Sequence, residues 1–245
     1  MIAILLACTL VADGASGKVL RQEGVCDQQV TPASTFKIAI ALMGFDSGYL
    51  TNEHLPLLPY YPGYPDWDDT WKQPTDPSSW IKNSVVWYSQ RVTEWLGNER
   101  FRQYVQAFHY GNEDVLGENG LTTAWLSSTL KISPLQQIQF LQKVVKRQLP
   151  VSAGALDYTA RITAAGKLPN GWEVHGKTGT GFPSLPNGRL DPKHAYGWYV
   201  GWATKGDRTL IFVRLVQDAK RESIRAGLRA RSEFTAQLPG LLDSL

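Results

Sequence analysis

The chain has 245 residues, of which 43% are hydrophobic and 19% are charged. This length and composition are typical of an ordered globular protein, and they exclude a disulfide-stapled miniprotein and a disordered chain. The 25 basic and 22 acidic residues leave a net charge of +3, and the basic residues are scattered. We therefore expect no nucleic-acid partner. No apolar run reaches the roughly 18 residues of a membrane span, so we expect none.

The chain opens on the apolar run Ile2–Cys8, with no basic segment before it. We interpret this run as the start of a strand over Ile2–Asp13, in a secreted protein whose leader is absent from this sequence. A second strand over Lys18–Gln22 completes a hairpin, which folds Cys26 back toward Cys8. A disulfide is then expected, and with it an oxidising compartment such as the periplasm. Two buried free thiols remain the alternative, because a register shift of one residue places the cysteines on opposite faces.

Helical patterns fill the middle of the chain and return at its end. Helices are predicted over residues 35–45, 80–96, 98–108, 134–148 and 222–242. The first of them is apolar nearly all round, which predicts a buried central helix. Residues 55–77 carry six prolines. That composition predicts a long ordered surface loop rather than a helix or a central strand.

Three further strands are predicted over residues 172–180, 196–204 and 209–215. Strands that pair through hairpins form an antiparallel sheet, and the helices must then make a layer of their own. We predict an α+β fold in one domain, 1–245. Its sheet part covers about 1–31 and 170–245, and its helical part about 46–169. An active site is expected where the two parts meet.

The tetrapeptide Ser34-Thr35-Phe36-Lys37 is the first candidate for chemistry. Residues three apart on a helix share a face, so the Ser34 hydroxyl and the Lys37 amine come within hydrogen-bond reach. Lys37 also stands in an apolar helix, where burial lowers the pKa of an amine. The plainer interpretation is a serine N-cap and a lysine that extends its amine to solvent.

The hexapeptide from His175 to Thr180 is the second candidate. Lys177 and Thr178 on a strand edge can hold a substrate carboxylate, and the following Gly179 lets a ligand approach the backbone. The plainer interpretation is an edge strand that a lysine protects from pairing.

Taken together, the two motifs lie about 140 residues apart and match the S-x-x-K and K-T-G signatures of penicillin-recognising serine enzymes. The third element expected between them is present as Ser84-Val85-Val86, and Trp125-Leu126 follows it. With these motifs the whole chain resembles the class D β-lactamases, the oxacillinase family. The resemblance implies a β-lactamase/transpeptidase-like fold with an antiparallel sheet.

The resemblance also implies a reaction, the hydrolysis of the β-lactam amide of penicillins through an acyl-enzyme on Ser34. In the implied mechanism Lys37, N-carboxylated by CO2 or bicarbonate, is the general base for acylation and deacylation. Ser84 relays protons, and Trp125 donates its indole N–H to the lysine carbamate. No metal and no other cofactor is implied.

Substrate contacts follow from the same resemblance. Lys177 and Thr178 hold the β-lactam carboxylate, helped by an arginine of the C-terminal segment. Arg229 fits that role better than Arg231, and the choice between the two stays open.

The remaining implied residues surround the reacting bond. Val86 and Leu126 are the apolar residues that flank the modified lysine, and the backbone N–H groups of Ser34 and Thr180 form the oxyanion hole. Family members often carry an aromatic residue at the position of Thr180, and the proline-rich loop is unusually long. These departures leave the substrate preference open, whereas the implied reaction stays the same.

The implied partner is a small β-lactam. Two alternatives share the fold and the motifs, a penicillin-sensor domain that stays acylated and a transpeptidase that acts on cell-wall peptides. The sequence leaves open a homodimer and the range of penicillins, cephalosporins and carbapenems that would be cleaved.

Overall fold

A computed structural model describes residues 6–116 and 120–245 of the chain. These residues contain a single six-stranded sheet in the order β2-β1-β6-β5-β4-β3, and every neighbouring pair is antiparallel. The strands are β1 (Ala7–Asp13), β2 (Val19–Gly24), β3 (Ala164–Lys167), β4 (Glu173–Gly181), β5 (Tyr196–Lys205) and β6 (Arg208–Gln217). The antiparallel sheet with separate helices confirms the predicted α+β class.

Six α-helices accompany the sheet in the described residues: α1 (Lys37–Asp46), α2 (Pro77–Asn83), α3 (Val86–Phe108), α4 (Pro134–Val145), α5 (Ala153–Ile162) and α6 (Ala226–Ser244). Helix α6 covers one face of the sheet, where its Phe234 packs on Tyr199 and Phe212. The opposite face joins a larger core that includes residues 38–43 and Phe45 of α1. Within the described ranges no helix has the length and apolar character to cross a membrane.

The predicted helix over 35–45 begins later than expected. A 3-10 turn, Ala33–Phe36, carries Ser34, and the α-helix starts at Lys37. Ala33 holds a left-handed backbone with φ 48°. That conformation is uncommon for a residue with a side chain, and it cannot belong to a regular helix. Ser34 is therefore not the N-cap residue of α1.

The predicted helix over 80–96 is broken in two. Helix α2 ends at Asn83, Ser84 is left-handed with φ 58°, and Val85 is extended. Ser84 therefore lies between the two helices and belongs to neither. Helix α3 then runs to Phe108 through Gly97, whose φ of 72° interrupts it at the predicted boundary.

Two elements escaped prediction, β3 and α5. Strand β3 is a fully exposed four-residue segment without alternating polarity, and it lies inside the range assigned to the helical part. Helix α5 carries an early glycine, a weak helix former. The predicted helix 134–148 ends earlier, at Val145, and its start is capped by Ser133, which accepts from the Gln136 N–H.

The N-terminal hairpin is confirmed with different bounds. Residues 2–5 of the expected first strand lie outside the described residues, and β2 starts at Val19 and ends at Gly24. Cys8 pairs with Gly24 across the hairpin. The two cysteines form a disulfide with an S–S distance of 2.08 Å, and both are buried.

The free edge of β4 faces the helical part. Strand β3 pairs only with residues 173–175 of β4, so in the described structure the edge beside Lys177 has no strand partner. Farther along the same strand, Gly179 lies against the 3-10 turn that carries Ser34. A Cβ at Gly179 would lie 2.8 Å from the Pro32 carbonyl oxygen, which only glycine avoids.

Candidate active site

Ser34 and Lys37 contact each other directly. The Lys37 Nζ donates a hydrogen bond of 2.9 Å to the Ser34 Oγ. Lys37 is completely buried, while Ser34 is partly exposed. Burial lowers the pKa of Lys37 well below its ordinary value, and the nearby charge of Lys177 lowers it further. The pair thus joins a hydroxyl to an amine that favours its neutral form.

The 3-10 turn that carries Ser34 is stabilised by hydrogen bonds that the sequence motifs do not predict. Thr35 donates to the Pro32 carbonyl from its Oγ1, at 2.7 Å. The Gln137 amide on α4 donates to the Thr35 Oγ1 at 3.0 Å and to the Tyr110 hydroxyl at 3.3 Å. These buried bonds fix the backbone of the turn, which is a condition for positioning a nucleophile.

A second set of bonds ties the same segment to the sheet. The Trp198 indole N–H donates to the Thr31 carbonyl at 3.0 Å, and the Thr31 side chain shares a hydrogen bond with the Tyr196 hydroxyl. Both partners lie on β5. No sequence signal marks these residues, because they lie more than a hundred positions apart and meet only in the folded chain.

Ser84 and Lys177 join the helical part to the sheet. The Lys177 Nζ donates to the Ser84 Oγ at 3.0 Å and to the Thr178 carbonyl at 3.1 Å. Lys177 is almost fully buried. Burial, together with the charge of Arg231, lowers the pKa of Lys177 to about 7. A group with that pKa can give or accept a proton near neutral pH.

Trp125 is fully buried and lies close to the 3-10 turn that carries Ser34. Its ring lies 5.8 Å from that of Phe36 and 6.4 Å from that of Phe101. Within the described chain its Nε1 has no hydrogen-bond acceptor. A buried donor without a partner is costly, so this N–H is available to an acceptor in the same pocket. Val86 is buried as well, and the neighbouring Leu126 is half-buried.

Thr180 links β4 to the start of α6. Its Oγ1 accepts a hydrogen bond of 2.9 Å from the Gly227 N–H. The approach is so close that a Cβ at Gly227 would lie 2.4 Å from the Gly179 carbonyl oxygen. The Thr180 side chain is therefore turned toward α6, and the preceding Gly179 packs on the turn of Ser34.

The two candidate arginines have different surroundings. Arg229 forms an ion pair with the buried carboxylate of Asp218, and its Nε donates to the Ile224 carbonyl at 3.2 Å. Arg231 lines a cavity of about 600 Å³ together with Lys177 and Thr178. Asp218 was not predicted as a partner, because nothing in the pattern distinguishes it from other acidic residues.

The structure thus brings together Ser34 with Lys37, and Ser84 with Lys177, at the edge of β4. Elsewhere the described residues hold no group of three His, Cys, Asp or Glu side chains that could bind a metal ion. A hydroxyl beside a buried amine of lowered pKa, with a second hydroxyl beside a buried lysine, is an arrangement suited to acyl transfer.

Comparisons with known proteins agree with this geometry. A family model described as the penicillin binding protein transpeptidase domain matches residues 7–239. The β-lactamase OXA-9 of Klebsiella pneumoniae is 43% identical, over 98% of this chain and 89% of that protein. The β-lactamase OXA-1 of Escherichia coli is 33% identical, over 91% of this chain and 80% of that protein.

A solved structure gives the same result. The crystal structure of the class D β-lactamase OXA-427 superimposes with a TM-score of 0.92 and 52% identity, over 97% of this chain and 99% of that one. Identity at this level across almost the whole chain shows family as well as fold. The chain belongs to the penicillin-binding-protein transpeptidase domain family and, within it, to the class D β-lactamases.

Proposed function

We propose that this chain hydrolyses the β-lactam amide of penicillin-type antibiotics through an acyl-enzyme on Ser34. The observation that carries the proposal is the hydrogen bond between the Ser34 Oγ and the fully buried Lys37 Nζ. A hydroxyl is a weak nucleophile at its ordinary pKa, and an adjacent base activates it. The relatives named as β-lactamases support the same reaction.

In the acylation step the Ser34 Oγ attacks the β-lactam carbonyl carbon and gives its proton to the base at Lys37. The amide C–N bond breaks, and the departing nitrogen takes the hydroxyl proton of Ser84. Lys177, which donates to Ser84 at 3.0 Å, replaces that proton. Before deacylation the base passes the proton it took from Ser34 back to Lys177 through Ser84, so that both groups regain their starting states. A water then attacks the ester, the base takes a proton from the water and gives it to the Ser34 Oγ as that oxygen leaves.

The pocket fits an N-carboxylated Lys37. The lowered pKa of Lys37 favours the neutral amine, which is the form that reacts with CO2. When present, the carboxyl group supplies an anionic base next to Ser34. The unpartnered Nε1 of Trp125 would donate a hydrogen bond to it, and the buried side chain of Val86 and the half-buried Leu126 would limit its access to water.

The developing oxyanion would be bound by the backbone N–H groups of Ser34 and Thr180. The close packing of Gly179 on the nucleophile turn supports this assignment. Lys177, Thr178 and Arg229 would hold the substrate carboxylate. Placing three donors, two of them cationic, on one anion gives charge-assisted hydrogen bonds, which are stronger than neutral ones.

The Cys8–Cys26 disulfide supports an oxidising compartment. We propose that the protein acts in the periplasm.

The decisive experiment combines intact-protein mass spectrometry with the turnover of a chromogenic cephalosporin. We expect an adduct on Ser34 that forms and then disappears, no adduct on Ser34→Ala, and rates that rise with added bicarbonate. An adduct that persists would favour the sensor or the transpeptidase. The absence of any adduct would refute the proposal, and rates independent of bicarbonate in degassed acidic buffer would refute the modified lysine.

A further inference from the structure

Two turns of the chain share the tetrapeptide Leu-Pro-Asn-Gly, at residues 168–171 and 185–188. The first lies between β3 and β4. The second lies between β4 and β5, at the tip of a small hairpin closed by the bridge between Ser184 and Leu190. An asparagine followed by glycine can form a five-membered ring between its side-chain amide carbon and the next backbone nitrogen, because glycine has no side chain to hinder the approach. The same reactive sequence thus occurs in two surroundings.

The two turns have the same backbone bonding. The Gly171 N–H donates to the Leu168 carbonyl, and the Gly188 N–H donates to the Leu185 carbonyl, both at 2.9 Å. Both glycines are left-handed, with φ of 91° and 78°. This is the conformation of a three-residue hairpin loop that ends in glycine. The backbone therefore gives no reason for one asparagine to react before the other.

The side chain of Asn170 is held against α6. Its Nδ2 donates to the Pro239 carbonyl at 3.0 Å and to the Asp243 Oδ2 at 2.9 Å. Asp243 is itself fixed, because its other oxygen accepts from the Trp172 indole N–H at 2.9 Å. Ring formation expels the Nδ2 group as ammonia, so at Asn170 the departing group must first leave both acceptors.

The side chain of Asn187 lies in an open setting, since residues 184–190 are all exposed. Its Oδ1 accepts from the Arg189 N–H at 3.0 Å, but within the described ranges its Nδ2 donates to no acceptor. A Cβ placed on Gly188 would meet no atom within 4 Å. Only the bond from Gly188 to Leu185 must open to free the attacking nitrogen, and exposed loop tips open readily.

We propose that Asn187-Gly188 is a site of spontaneous deamidation in the folded protein, and that α6 protects Asn170 from the same reaction. The Gly188 nitrogen loses its proton and attacks the Asn187 Cγ. The bond from Cγ to Nδ2 then breaks, and the amide group takes up a proton and leaves as ammonia. Water opens the resulting succinimide ring at either carbonyl carbon, which gives aspartate or isoaspartate. Either product carries a carboxylate and lowers the net charge of +3 by one unit.

The structure sets the relative rates. Two hydrogen bonds hold the departing group of Asn170, so Asn187 should react about ten times faster in the folded chain. In the unfolded chain both asparagines have the same neighbours, and their rates should be similar. The rate at Asn187 should rise with pH, because the attacking nitrogen must lose its proton. The reaction involves no residue of the proposed active site, so it is independent of the proposed function.

The test incubates the folded protein in mildly alkaline and in mildly acidic buffer, followed by trypsin digestion and peptide mass spectrometry. Trypsin cleaves after lysine and arginine, so Asn170 lies in peptide 168–177 and Asn187 in peptide 178–189. One digest therefore reports both sites. The same incubation in urea measures the unfolded chain. Asn187→Gln should lose the acidic form that ion-exchange chromatography separates, since its longer side chain forms the ring poorly.

A second variant tests the protection of Asn170. Asp243→Ala removes one of the two acceptors and should speed deamidation of peptide 168–177 severalfold. Asp157→Ala is the matched control, because the Asp157 side chain is 49% exposed and that of Asp243 48%, and both form an ion pair. Asp157 pairs with Arg147 and makes no contact with Asn170. It should leave both peptides at the wild-type rate.

We expect peptide 178–189 of the folded protein to gain the mass difference between a hydroxyl and an amino group, faster at alkaline pH. Peptide 168–177 should change at a similar rate only in urea. Equal rates at the two sites in the folded chain, or an equal effect of Asp243→Ala and Asp157→Ala, would overturn the protection by α6. A peptide 178–189 that is modified in urea but stays intact in the folded protein would overturn the site itself.

Discussion

Lys177 and Ser84 lie 93 positions apart in the sequence, yet the Lys177 Nζ donates to the Ser84 Oγ at 3.0 Å. The bond crosses from the sheet to the break between two helices. Ser84 reaches it because its left-handed backbone, with φ 58°, ends α2 early. Lys177 therefore serves two partners in the proposed reaction, a serine that moves a proton and the substrate carboxylate.

The pH dependence of substrate binding should follow Lys177. Burial lowers the pKa of this amine to about 7, so the free site loses its charge as the pH rises through that value. The KM for a penicillin should consequently rise above pH 7. Lys177→Arg stays protonated and should remove the rise. A KM that is independent of pH between 6 and 9 in the wild type would contradict this assignment.

Trp125 should govern the requirement for bicarbonate. Trp125→Phe keeps an aromatic ring but removes the unpartnered N–H. We expect this variant to need more bicarbonate for full activity, because the anionic base loses a hydrogen bond. Losing the base altogether would cost about 10²–10⁴ in rate.

The control for this prediction is Trp80→Phe. Trp80 is equally buried, but its Nε1 donates to the Ser89 hydroxyl. Its loss should lower the thermal midpoint without changing the bicarbonate requirement. Equal bicarbonate requirements in both variants would argue against a role for Trp125 at the base.

Arg229 and Arg231 should give different kinetic signatures. Removing a charged hydrogen bond costs about 1.5–3 kcal/mol, so Arg229→Ala should raise the KM for penicillins at least about tenfold. Arg231→Ala should instead raise the pKa of Lys177, because the charge of Arg231 is one of the causes that lower it. The increase of KM with pH would then begin at a higher pH.

Measuring KM from pH 6 to 9 for both variants decides between the arginines. If KM at pH 6 were large in Arg231→Ala and unchanged in Arg229→Ala, then Arg231 would be the residue that contacts the substrate carboxylate. The thermal midpoint should fall in Arg229→Ala, since the buried Asp218 loses its partner.

The disulfide should contribute measurably to the free energy of unfolding. Cys8 and Cys26 enclose a loop with a separation of 18 residues. Replacing both by alanine should lower the free energy of unfolding by about 3 kcal/mol, the value for a loop of that size. Urea titration measures the change, and thiol counting under denaturing, non-reducing conditions should find no free thiol in the exported protein. Two free thiols would contradict the bridge.

Local patterns were sufficient for part of this molecule. The spacing of Ser34 and Lys37 predicted their contact because both lie within one turn of chain, even though that turn is 3-10 rather than α-helical. Strands β5 and β6 were found because their residues are mostly apolar, aromatic or β-branched and are bounded by turns.

The rest depends on tertiary contacts that no local pattern encodes. The Gln137 amide reaches Thr35 across 102 positions, and Arg229 gains Asp218 only where β6 ends beside α6. The exposed strand β3 has no buried face to create an alternating pattern. The role of Ser84 came from family resemblance alone, since the spacing suggested a continuous helix.

The contact between Gly227 and Thr180 has a consequence for the order in which the protein becomes active. Ser34, the proposed nucleophile, comes long before Gly227 in the sequence, but the strand edge beside it is supported by the first turn of α6. During synthesis Ser34 emerges long before Gly227, and domains fold as units. A ribosome-bound chain that stops before α6 therefore holds Ser34, the proposed nucleophile, without the contact that supports the strand edge beside it.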